Sequence, residues 1–105
     1  MIKISIFYPN TGKFDMDYYL NTHMTRSIQL LSEGKGYHGV SVEKGLCGAT
    51  ADSAATYIAM CHFLFDTLED FMAAFMQHAE ELKGDKKNYT DILNTIQVSE
   101  VVISR

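Results

Sequence analysis

Thr56-Tyr57-Ile58-Ala59-Met60-Cys61-His62-Phe63-Leu64-Phe65 reads as a strand without a polar face. Side chains alternate across a strand, so Tyr57, Ala59, Cys61, Phe63 and Phe65 share one side, and Ile58, Met60, His62 and Leu64 the other. A strand apolar on both sides lies inside its sheet and is covered twice. Helices can cover one of those faces. In a chain of 105 residues, the cover for the other face is expected to be a second copy.

The elements on either side of this strand set the topology. Downstream, Thr67-Leu68-Glu69-Asp70 is a capping box that opens a helix. Its apolar stripe is Leu68, Phe71, Met72, Phe75, Met76, Ala79 and Leu82, and Lys83-Gly84 closes it. A polar turn over 85–88 leads through Tyr89-Thr90-Asp91-Ile92 to a last strand predicted over 95–103. Upstream, the small and polar residues 48–55 form a surface loop, preceded by a strand from about His38 to Cys47. The first strand, Ile2 to Tyr8, sets Ile2, Ile4, Ile6 and Tyr8 against Lys3, Ser5 and Phe7, and Pro9-Asn10-Thr11-Gly12 turns it. Asp15 then caps a helix, with Phe14 stapled onto Tyr19. Met16, Leu20, Met24, Ile28 and Leu31 form its apolar stripe, and Gly34 is expected to take a left-handed cap. Strand, helix, strand, strand, helix, strand is the order of a ferredoxin-like α+β domain, βαββαβ, with an antiparallel sheet and two helices on one face. Residues 1–105 form one such domain.

Charge and composition exclude several function classes. The net charge is −4 and the longest basic run is Lys86-Lys87, so no nucleic-acid footprint is expected. No apolar run approaches a membrane span, and the N-terminus opens on a strand rather than a signal peptide, so a cytoplasmic location is expected. Cys47 and Cys61 are read as free thiols. The four histidines lie 15, 24 and 16 residues apart, without HxxxH, HExxH or CxxC spacing, so no metal is expected. Flavin, nicotinamide and nucleotide motifs are absent as well, consistent with a site that uses no cofactor.

The chemistry-bearing residues cluster in three places. Tyr19 and His23 stand i, i+4 on the first helix, at the border of its stripe. In a functional reading His23 is a general acid or base, and Tyr19 orients or donates to a substrate oxygen. A boundary histidine that only packs would show the same spacing. His62, on the third strand, is either a pocket contact or a satisfied core or interface residue. Asn88 and Tyr89 either close a pocket mouth or bond their own loop. With walls from Phe7, Met24, Ile28, Met60, Phe71 and Phe75, these groups outline a site between sheet and helices for a small apolar organic molecule.

The chain resembles the EthD family, named for a protein of ethyl tert-butyl ether degradation. The resemblance is carried by Tyr8-Pro9-Asn10, Phe14-Asp15-Met16-Asp17-Tyr18-Tyr19-Leu20-Asn21-Thr22-His23-Met24, Phe65-Asp66-Thr67-Leu68-Glu69-Asp70-Phe71, Asn88-Tyr89-Thr90-Asp91-Ile92 and Gln97-Val98-Ser99-Glu100-Val101. It covers nearly the whole chain. The family motif usually continues His-Met-Pro, whereas Thr25 stands here. The resemblance implies a homodimeric α/β barrel linked to oxidative catabolism. Related barrels include cofactor-free monooxygenases, polyketide cyclases, lactone isomerases and haem-handling enzymes. Three roles follow as expectations: a cofactor-independent oxidoreductase, a cyclase or isomerase using the His23/Tyr19 pair, or an accessory binding protein without turnover.

Overall fold

The computed structural model describes residues 1–105. Strands β1 (Ile2–Pro9), β2 (Tyr37–Lys44), β3 (Tyr57–Phe65) and β4 (Thr95–Glu100) form one antiparallel sheet in the order β2-β3-β1-β4. The helices pack on one face, giving the ferredoxin-like α+β arrangement expected from the sequence. As its apolar alternation requires, β3 is interior. Ala59, Cys61, Phe63 and Phe65 are buried under the helices, while Ile58, Met60, His62 and Leu64 are half-buried on the open face. No helix is long and apolar enough to cross a membrane.

Strand ends differ from expectation. β4 stops at Glu100, opposite Ile2; one further backbone bond runs from the Val101 N–H to the Met1 carbonyl at 3.0 Å, and Val102 and Ile103 stand exposed. β2 ends at Lys44, ahead of the expected Cys47. The left-handed backbone falls at Gly36 (φ 79°), two residues later than expected. Gly34 serves packing instead, since a Cβ there would stand 2.7 Å from the Cβ of Ala74.

The first helical run is not uniform. Asp15 caps α1 (Met16–Tyr18) by accepting from the Tyr18 backbone N–H at 3.1 Å, a π-helical turn covers Tyr19–Met24, and α2 is Thr25–Leu31. A wider i→i+5 turn offsets the residues before it by about one position against those after it. Tyr19 therefore faces the core and is completely buried, whereas Leu20, expected in the stripe, is 38% exposed. The Thr25 hydroxyl donates to the Leu20 carbonyl at 3.1 Å, a bond that proline at this position could not make. The expected staple is present, with the Phe14 and Tyr19 rings 4.9 Å apart.

The second helix is also divided, into α3 (Leu68–Met76) and α4 (Ala79–Asp85), with His78 leaving helical geometry at φ −126°, ψ 10°. The division gives the two parts separate tasks. Phe71 and Ala74 of α3 are buried in the core, while α4 meets the first helical run through Glu81–Arg26 at 2.8 Å and through Asp85.

Candidate active site

Between the sheet and the helices lies a cavity of about 290 Å³. Its sheet side is Ile6, Tyr8, Cys61 and Phe63; its helix side includes His23, Met24, Phe71, Phe75 and Leu82. Tyr89 also lines it, and Lys83, Lys86, Asn94 and Ile96 complete the wall toward β4. Ile96 lies opposite Ile6 on the helix-side face, yet is 62% exposed, because no helix extends over β4. The cavity therefore opens on that side.

His23 is the best-placed reactive group. The π turn carries its ring into the buried face, 8% exposed, with the Tyr89 ring 4.6 Å away and the Tyr19 ring stacked at 6.0 Å. Its Nδ1 lies 2.9 Å from Asp85 Oδ2. Asp85 Oδ1 accepts from the Tyr18 hydroxyl at 2.6 Å and from Asn88 Nδ2 at 2.9 Å. Burial pushes the Asp85 carboxyl up, but the hydrogen bonds from Tyr18, Asn88 and His23 outweigh it and hold the group below the usual carboxylate range. An ionised carboxylate only accepts, so Nδ1 is assigned the proton. That leaves the Nε2 lone pair without a hydrogen-bond partner in the chain, on a ring that lines the cavity. An acidic residue ending a helix opposes the helix dipole, so the three donors are what retain Asp85 there. Its other side opens on a polar outer cleft lined by Thr22, Arg26, Glu81 and Asn88.

Two further phenols carry hydrogen-bonding capacity to the wall. Tyr8 and Tyr89 hydroxyls are 2.7 Å apart, and one donates to the other, so the pair retains one spare O–H. Burial pushes Tyr8 up to about 12 and raises Tyr89 as well, so both stay neutral donors at ordinary pH. The Cys61 thiol is likewise pushed up to about 12 by burial, which keeps it protonated and unreactive.

The sequence-derived site divides in the structure. His23, Met24, Phe71, Phe75 and Tyr89 meet around the cavity. Tyr19 sits behind His23, its hydroxyl without an oxygen or nitrogen partner. Ile28 packs half-buried against the core without reaching the cavity, and Asn88 faces the outer cleft. Phe7, Met60 and His62 are on the opposite side of the sheet, contrary to the single pocket expected between sheet and helices. The reason is strand alternation: Ile6 pairs with Cys61 on the helix side, so the pairs Phe7–Met60 and Ser5–His62 point away. There His62 Nδ1 lies 2.6 Å from Ser5 Oγ, and Nε2 lies 3.2 Å from Glu43 Oε1.

The sequence reading singles out neither Asp85 nor Tyr18, which the structure joins to His23 by hydrogen bonds. Asp85 lies 62 residues from His23, and only the packing of α4 on the first helical run joins them.

Since its hydroxyl is buried without an oxygen or nitrogen partner, Tyr19→Phe is expected to keep or raise stability, by up to about 1 kcal/mol. Urea denaturation of the two proteins checks this.

The chain is thus a ferredoxin-like α+β domain with a cavity between its sheet and its helices. The EthD domain model matches residues 11–92, and the chain belongs to the EthD family. An EthD-like protein from Ralstonia eutropha JMP134 is 40% identical, with TM-score 0.89, covering 99% of this chain and 94% of that one. An ethyl tert-butyl ether degradation (EthD) family protein from Bacillus halodurans C-125 is 18% identical, with TM-score 0.72, covering 95% and 97%. The cofactor-independent oxygenase SnoaB from Streptomyces nogalater shares the fold at 10% identity and TM-score 0.58, covering 98% and 93%. No curated protein matches the chain significantly.

Proposed function

We propose that this EthD-family chain binds a small, largely apolar organic molecule in the 290 Å³ cavity and that His23 acts on it as a general base. The carrying observation is the His23–Asp85 pair, which leaves Nε2 as a free lone pair against an apolar wall. Nε2 takes the proton of a phenol or quinol: the substrate O–H bond breaks, an N–H bond forms, and the imidazolium is balanced by the Asp85 carboxylate. The resulting phenolate gives up electrons to dioxygen more readily than the phenol. The spare O–H of the Tyr8–Tyr89 pair holds a substrate oxygen, and Tyr19 supports the His23 ring from behind. On this reading the protein is a cofactor-independent oxidoreductase of oxidative catabolism, working in the cytoplasm. The fold shared with a cofactor-independent oxygenase supports the reading. Oxygen uptake with a panel of phenols and quinols tests it. Turnover without oxygen uptake would point to a cyclase or isomerase, and binding without turnover to an accessory protein.

The working unit of this proposal is a homodimer. The open sheet face carries Phe7, Ile58, Met60 and Leu64, too large an apolar set to leave to water. Light scattering at micromolar concentration is expected to give twice the chain mass; a clean monomer would contradict it.

A further inference from the structure

The charged side chains on the cavity wall are two cations, Lys83 and Lys86, and no carboxylate stands among the lining residues. We infer that the ligand carries an acidic group, a carboxylate in the first instance, which seats against Lys83 and Lys86 at the cavity mouth while its apolar body fills the interior. The inference rests on the cavity being the ligand site, as proposed above, and adds the ligand's chemical class.

Two observations bear on these lysines, the second on Lys83 alone. Neither is ion-paired within the chain: Glu81 is bonded to Arg26, and Asp85 is occupied by Tyr18, Asn88 and His23. Lys83 is also held toward the cavity, with Nζ 5.8 Å from the centroid of Phe75, itself a wall residue. A cation beside an apolar cavity without a counter-charge favours a ligand that supplies one. The arrangement also sets an orientation. An acidic group held at Lys83 and Lys86 turns the rest of the molecule toward the sheet and His23, so the lysines recognise one end and His23 works on the other.

The test uses two hydroxy acids of different length, 4-hydroxybenzoate and 6-hydroxy-2-naphthoate, each with its methyl ester. Titration calorimetry on the full chain compares wild type with Lys83→Met and Lys86→Met, substitutions that keep most of the side-chain length and remove the charge. At least one acid is expected to bind wild type about tenfold or more tightly than its ester. The preference should shrink in each variant and vanish in the double variant, with ester affinity little changed. Equal affinity for acid and ester, or a preference that survives in the double variant, overturns the inference and leaves the cavity reading standing. Absence of binding by all four compounds counts against both. Circular dichroism of the variants separates loss of charge from loss of fold.

Discussion

His23→Ala is expected to slow turnover by about 10²–10⁴-fold, the range for loss of a positioned acid–base group. The effect is large because nothing else on the wall can take its place. Tyr8, Tyr89 and Cys61 are held in their neutral, protonated forms by burial. Both lysines lie toward the mouth, and Asp85 is engaged on both oxygens. Since His23 is packed between Tyr19 and Tyr89, the alanine variant also loses contacts. His23→Gln, which keeps most of the volume, separates the two effects. Turnover should fall in both variants, while the melting temperature falls mainly in alanine. Oxygen uptake with phenols and quinols, alongside thermal denaturation, checks the expectation.

Asp85→Asn is expected to have the next largest effect, a loss of about 10²-fold or more, although Asp85 is a positioning residue. An amide can turn an N–H toward His23 Nδ1, which forces the proton onto Nε2 and removes the free lone pair. The negative charge that balances the imidazolium is lost too. Two readouts distinguish this from structural damage. Turnover should fall while the affinity for a substrate-like ligand changes little, a split that a packing defect would not produce. Stability should also change in a set pH window. The Asp85 pKa is lowered on folding from its ordinary 3.8, so its stabilising contribution is complete above that value and is lost as pH falls through the lower folded value. The stability difference between wild type and variant should therefore begin to shrink below about pH 4 and vanish only once pH lies below the folded value.

The fold was readable because its signals are local. The two apolar faces of 56–65 placed β3 inside the sheet, and caps at Asp15 and Thr67 marked the helix starts. The first helix misled by one residue. A regular stripe at three and four spacing included Leu20, while the π turn puts Tyr19 in the core, and no residue in Tyr19–Met24 announces a π turn by type. Alternation separates Phe7 from Ile6 and Tyr8, and Met60 and His62 from Cys61 and Phe63, but which set the helices cover follows from packing rather than from the strand pattern. Asp85 is different: in the sequence it is an acidic residue before a polar turn, and its meaning depends on how α4 docks. Long-range partners of this kind follow from topology and side-chain packing, which spacing along the chain does not encode.

The central claim, that the cavity beside His23 is the ligand site, is tested most directly by ligand-induced thermal shifts. Wild type, His23→Ala and a cavity-filling Ser27→Leu are compared against phenols, quinols, ethers and lactones. Ser27 is buried on the cavity wall, away from the sheet's open face, so added volume there blocks the interior. At least one compound class should raise the wild-type midpoint, with the shift reduced in His23→Ala and abolished in Ser27→Leu. A compound that stabilises all three proteins equally, or a panel that shifts none of them, would contradict the claim.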